Sequence, residues 1–174
     1  MYMDVIIRDI ERAEQCNAFF SALALALTIP DVCAKAEKKY PQKDVAYVEW
    51  CNHWCNFSNM FSSQRYKNAI NGAHCYALRC AFLHNLDADM QKQKKAFRKT
   101  GDEGKEFTFV LTVPNDCNDL TARSILEDDD ENSKMISINC KDITKLLVDG
   151  YRKFRNENAD ITIENKGILI QEAV

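Results

Sequence analysis

Through residue 86 the apolar side chains return every three or four positions, and this spacing constrains the fold more than any other feature of the chain. Ile6, Ile10, Ala13, Cys16, Phe20, Leu23 and Leu27 step in that way. An α-helix turns once in about 3.6 residues, so such a series forms one stripe along one side of a helix and leaves the rest to water. The series predicts a single long amphipathic helix that stops at Thr28-Ile29-Pro30. Proline suits the first turn of a following helix. A short second helix is therefore expected from Pro30 to about Tyr40, with Asp31 near its start and Lys38 and Lys39 near its end, as the helix dipole favours. After Tyr40-Pro41, the residues Tyr47, Trp50, Trp54, Phe57 and Phe61 draw an aromatic stripe on a third helix. A fourth is expected from Ala69 to about Leu86, where Ala73, Ala77 and Ala81 permit a close neighbour beside Leu78 and Phe82.

Only five glycines and three prolines occur in 174 residues, which argues against turn-rich sandwiches and barrels. Past residue 90 the chemistry changes. Gln91 to Lys99 is strongly basic, Thr100 to Gly104 is a breaker, and Phe107 to Val113 has the aromatic and β-branched character of a strand. Lys134 to Cys140 reads as a second strand, with Met135, Ser137 and Asn139 on one face and Ile136, Ile138 and Cys140 on the other. The two are expected to pair antiparallel, with the acidic stretch Glu127 to Glu131 in their connection. Asn139 and Asp142 resemble a helix start, and Ile143, Leu146, Leu147, Gly150, Tyr151 and Phe154 predict a final amphipathic helix. Ile161 and Ile163 facing Ile168 and Ile170 across Asn165-Lys166-Gly167 suggest a terminal hairpin. The expected fold is mainly α: an antiparallel helical bundle over residues 1–90, with a C-terminal α/β extension over 91–174 that carries a small β element and a terminal helix. The two parts are expected to pack as one compact unit.

The net charge of −3 leaves no overall electrostatic footprint for nucleic acid, so such binding must come from local clusters. Lys92, Lys94, Lys95, Arg98 and Lys99 form one, for which an ordinary solvated face is the alternative. The most apolar run, Ala18 to Ile29, is shorter than the roughly 20 residues a bilayer requires, and the residues before it are acidic on balance. Neither a membrane span nor a signal peptide is expected, and the chain reads as cytoplasmic. Its eight cysteines fall mostly in apolar periodic segments and read as free, buried thiols. Cys51, His53, Cys55, His74 and Cys75 are enough ligands for zinc, but their helical setting lacks the spacing of a zinc knuckle, and core packing is the stronger reading. No metal or cofactor is expected. Cys80 and His84, a thiol and an imidazole at helical spacing, lack the loop that usually activates a nucleophile.

The fourth helix carries Tyr76-Ala77-Leu78-Arg79-Cys80-Ala81-Phe82-Leu83-His84-Asn85, in which an arginine and a histidine interrupt an apolar series. On an ideal α-helix five residues turn through about 500° and rise about 7.5 Å, which leaves Arg79 and His84 roughly 140° apart. The segment from Arg79 to His84 resembles the R-x4-6-H signature of HEPN domains, with Cys80 where a polar residue often follows the arginine. The resemblance covers the helical portion, about residues 1 to 90. It implies a helical bundle and a homodimer in which two copies of the motif form one composite site. It further implies a metal-independent endoribonuclease of bacterial toxin–antitoxin or defence systems, with RNA as substrate and a cognate antitoxin or partner protein. Arg79 and His84 would be catalytic: His84 moving protons and Arg79 binding phosphate. Tyr76 and Asn85 would orient substrate, and Lys92, Lys94 and Lys95 would steer its backbone. Two other readings stand beside this. Arg79 pairs with a carboxylate on a neighbouring helix and His84 caps the helix end, or the bundle is a non-catalytic scaffold for dimerisation or for binding a partner or RNA.

Overall fold

The computed structural model describes residues 2–60, 70–85, 106–114, 125–127 and 133–163. Within these the chain is mainly helical. Helices α1 (Tyr2–Gln15) and α2 (Phe19–Ala26) replace the single long helix expected from the apolar series. The break is a helix-ending motif centred on Asn17, whose φ of 57° lies in the left-handed region that asparagine tolerates. The Asn17 amide donates to the Glu14 carbonyl at 3.0 Å and the Ala18 amide to the Ala13 carbonyl at 2.8 Å, which satisfies the last carbonyls of α1. The stripe is interrupted at the break, where Cys16 and Phe20 are exposed, while Ile10 of α1 and Leu23 of α2 are buried in the same core.

Helix α3 (Ile29–Glu37) holds Pro30 in its first turn, as expected, and ends at Lys38, again left-handed with φ 55°. Helix α4 (Lys43–Trp54) carries Tyr47, Trp50 and Trp54, all buried. It stops there: Cys55 is extended and a short 3₁₀ turn, Phe57–Asn59, brings Phe57 back to the core, so the aromatic stripe is not one helix. Phe61, the last residue of that stripe, lies outside the described residues. Helix α5 (Gly72–Cys80) passes directly into a π-helical turn, Ala81–Asn85.

Strands β1 (Glu106–Thr112), β2 (Ile125–Glu127) and β3 (Ser133–Asn139) form one sheet in the order β1-β3-β2. The expected antiparallel pairing of the two longer strands is wrong: β1 and β3 run parallel, with Phe109 beside Ile136 and Leu111 beside Ile138. The physical reason is the long connection between them. It is long enough for a parallel crossover and contains β2, which takes the antiparallel position on the other side of β3. The alternation expected for this strand holds from Met135 to Ile138, with Ile136 and Ile138 buried, but Asn139, expected on the opposite face, is buried too, and Cys140 already belongs to the next helix. The Asn139 side chain then accepts the Lys141 amide at 2.9 Å and caps helix α6 (Cys140–Glu157). The proposed terminal hairpin falls largely outside the described residues; Ile161 and Ile163 pack against the core without forming a strand.

A single apolar cluster draws on α1 through α6 and on β3. Its largest fully buried members include Trp50, Tyr47 and Phe154, and burying a side chain of that size stabilises by about 1.5–3 kcal/mol. Phe154 of α6 meets Trp50 and Trp54 of α4 edge-on, with centroids 6.0 and 5.4 Å apart. Tyr47 donates to the Leu27 carbonyl at 3.2 Å, tying α4 to the end of α2. The stretch Phe19–Glu37 has the length and mean hydropathy, 1.5, of a membrane span, yet half of it is buried inside the protein, where it forms α2 and α3.

Candidate functional site

Helix α5 is fixed first at its start. The Asn71 side chain accepts the Ala73 amide at 2.9 Å, and His74 Nδ1 accepts the Asn71 amide at 3.2 Å, a reciprocal cap. The Gly72 amide donates to Asn52 Oδ1 of α4 at 2.7 Å. A side chain at residue 72 would collide with the Val48 carbonyl oxygen, so only glycine lets the two helices lie this close. This contact sets where the far end of α5, with Tyr76 and Arg79, emerges.

Arg79 does not point freely into solvent. Its Nε donates to Asp31 Oδ2 at 3.1 Å, and its Nη2 lies 3.0 Å from the same oxygen. Both side chains are largely covered, 21% and 34% exposed. Nη1 reaches toward Cys80 Sγ at 3.9 Å. Burial alone would lower the guanidinium pKa, but the Asp31 carboxylate and then Cys80 outweigh it and hold Arg79 above its ordinary value. Tyr76 joins the group. Burial, then the neighbouring Cys80 thiol and Asp44, push its hydroxyl up to about 12, while Arg79 pulls the other way. Its ring packs edge-on against Tyr47 at 5.3 Å. The structure thus gathers Tyr76, Arg79 and Cys80 from α5 with Asp31 from the first turn of α3. Asp31 belongs to the site although its position in the sequence marked it only as a helix-start acid; the expectation of a carboxylate partner for Arg79 was the signal that pointed to it.

His84 and Asn85 lie in the π turn. A π turn closes its hydrogen bonds over five residues instead of four, so it carries less rotation per residue than an α-helix. Position 84 therefore comes round short of the 500° expected for an α-helix, which brings the backbone positions of the arginine and the histidine nearer to one face. Lys92, Lys94, Lys95, Arg98 and Lys99 lie outside the described residues.

The cysteine-rich centre is a packed core. All seven described cysteines are free, and Cys33, Cys51, Cys55, Cys75 and Cys140 are buried. Burial pushes Cys51 well above the ordinary thiol value, reinforced by hydrogen bonds with Cys55 and Cys75. Burial likewise raises Cys140 to about 11, so both remain protonated and weakly nucleophilic. The imidazoles point elsewhere: His53 stacks edge-on with Trp54 at 4.5 Å, and His74 serves the α5 cap. Among the described residues no group of three or more His, Cys, Asp or Glu side chains is placed to hold a metal ion. Clefts of about 180 Å³ beside Glu37, Glu49 and His53, and of about 300 Å³ beside Asp4, Tyr151 and Arg155, do not include Arg79.

No family model matches this chain, and neither a curated protein nor a solved structure resembles it significantly.

Proposed function

We propose that this chain is a HEPN-like, RNA-cleaving effector: a metal-independent endoribonuclease of a bacterial toxin–antitoxin or defence system, working in the cytoplasm as a homodimer. One observation carries the reading. Arg79, largely covered and oriented by Asp31, stands at the end of α5 immediately before the π turn that contains His84. π turns inserted in α-helices recur at functional sites.

In this reading His84 takes the proton from an RNA 2′-hydroxyl, whose oxygen attacks the adjacent phosphorus. The bond to the 5′-oxygen breaks and that oxygen is protonated, leaving a 2′,3′-cyclic phosphate and a 5′-hydroxyl. Arg79 binds the phosphate as negative charge builds on it. Tyr76 and Asn85 orient the substrate, and Lys92, Lys94 and Lys95 steer the RNA backbone toward the site. An antitoxin or other partner protein would hold the effector in check.

The Arg79–Asp31 pair also favours a second reading, a non-catalytic HEPN-like scaffold, because the pair satisfies the arginine without any ligand. Cleavage of bulk RNA in excess EDTA separates the two. Wild-type cleavage lost in folded Arg79→Ala and His84→Ala variants is the expected result. Equal cleavage by all three marks a contaminant or another site, and an intact dimer that cuts no RNA favours the scaffold.

A further inference from the structure

The cleft of about 300 Å³ lies between the first turn of α1 and the last turns of α6, and the segment that follows α6 completes its wall. Tyr151 and Arg155 line it from α6, four residues apart and so on one face of that helix. The segment after α6 is folded back at Asn158, whose amide and side chain both donate to the Phe154 carbonyl at 3.0 Å. Arg155 is built into that turn: its Nη1 donates to the Asn158 carbonyl at 3.3 Å and to the Ile161 carbonyl at 2.8 Å. These carbonyls fix the guanidinium without neutralising it, and among the described residues no carboxylate stands at ion-pair distance from Arg155. Asp4 brings the opposite charge to the same cleft from α1. The Tyr151 hydroxyl answers to both: burial and then Asp4 raise it above its ordinary value, Arg155 pulls the other way, and Asp4 takes a hydrogen bond from it. A carboxylate accepts up to about four hydrogen bonds, so an engaged Asp4 still has room for a ligand donor. Met3, Ala159, Ile161 and Ile163 supply the apolar part of the wall.

We propose that this cleft binds a free α-amino acid with a short aliphatic side chain, its carboxylate on Arg155, its ammonium on Asp4 and its side chain on Ile161 and Ile163. Two opposite charges that share a cleft without pairing match a zwitterion, whose own charges are carried on one carbon atom. A simple anion would meet the like charge of Asp4 and a simple cation that of Arg155, so the pair selects against both. The guanidinium is held in place before the ligand arrives, and two of its donors, Nε and Nη2, remain for a planar carboxylate. The volume lies at the lower end of the range for small-molecule sites, which suits a molecule of this size. The site shares no residue with the Arg79 group and stands independently of the RNA-cleaving reading. An occupied cleft joins α1 to the end of α6, so the ligand is expected to stabilise the folded chain.

The test is isothermal titration calorimetry of the full chain with L-valine and L-leucine. Isovalerate, which lacks the ammonium, and isobutylamine, which lacks the carboxylate, serve as controls. Wild type is expected to bind one amino acid per chain, and each control roughly 10- to 100-fold more weakly. L-valine is also expected to raise Tm, where isovalerate at the same concentration leaves it unchanged. Asp4→Asn and Arg155→Gln are each expected to lose roughly 10- to 100-fold in valine affinity. Arg155 also holds the turn after α6, so the exposed Asp4 gives the cleaner variant. Asp4→Asn is expected to bind isovalerate more tightly than wild type does, because a like charge is gone; a merely unfolded variant would bind it less. Isovalerate bound by wild type as tightly as valine marks a plain anion site and overturns the proposal. Valine affinity unchanged in both variants overturns it too, since the amino acid then sits elsewhere. No heat and no Tm shift with either amino acid at about 10 mM also overturns it.

Discussion

Arg79 and Asp31 illustrate how a half-covered ion pair can be both a structural contact and a constraint on ligand binding. Two donors of the guanidinium converge on one carboxylate oxygen, so an incoming phosphate has to compete with a partner already in place. Asp31→Asn keeps an acceptor but removes the charge. Because the pair lies between a surface bridge and a buried one, this substitution is expected to cost about 1–2 kcal/mol in denaturant unfolding. In the RNA-cleaving reading it also tightens RNA binding, the opposite of Arg79→Ala; weaker binding by Asp31→Asn would show that the carboxylate helps rather than competes. Glu14 offers a separate test. Burial holds its carboxyl above the ordinary value of 4.5, Lys141 opposes this and Glu11 adds to it, and its Oε1 has no partner among the described residues. A carboxyl with a raised folded pKa binds its proton more tightly in the folded state, so its contribution to stability is full below the ordinary glutamate value and is lost as pH rises through the raised one. Glu14→Gln is therefore expected to leave the urea midpoint unchanged in acid and to raise it near neutrality. An equal shift at both pH values would point to packing instead of charge.

At the scale of elements, the close approach of α5 to α4 places the site. Gly72→Ala puts a methyl against the Val48 carbonyl oxygen and within 3.0 Å of Cys51 Cβ, both in the α4 body, which cannot yield without moving a helix. Overpacking of this kind is expected to cost about 1–3 kcal/mol in denaturant unfolding and to reduce RNA binding, because Tyr76 and Arg79 move with α5. Stability unchanged from wild type would mean that the helices separate at little cost. The elements also show what could be read in advance. Pro30 and the Asn139 cap were legible because each acts through local geometry. The break at Asn17 was hidden because the apolar stripe runs through it, and only a left-handed φ reveals that the backbone turns there. The π turn left no sign in the spacing. The direction of β1 relative to β3 was equally hidden, since alternation identifies which face a strand buries but not which way its neighbour runs.

The whole molecule depends on its far ends meeting. Phe154 and Tyr151, near the end of α6, share one core with Trp50 and Trp54 of α4 and with Met3 and Ile10 of α1. A fragment of residues 1–90 would expose the side of α2, α3 and α4 that α6 covers. It is expected to show no cooperative thermal transition by circular dichroism, where the full chain does. A sharp transition in the fragment would establish a self-sufficient bundle. Taken by itself, the sequence determined what short-range forces control: the helical character of most of the chain, the stripes that face inward, the strand chemistry of 107–113 and 134–140, and the single arginine-to-histidine segment that stands out on α5. Only the tertiary structure decided which residues from distant parts of the chain meet. It set Asp31 against Arg79, Phe20 against Phe82 and Phe154 against the tryptophans. The reason is physical: periodicity reports the face of an element that is buried, whereas the partner on that face depends on how all the elements fill one core together.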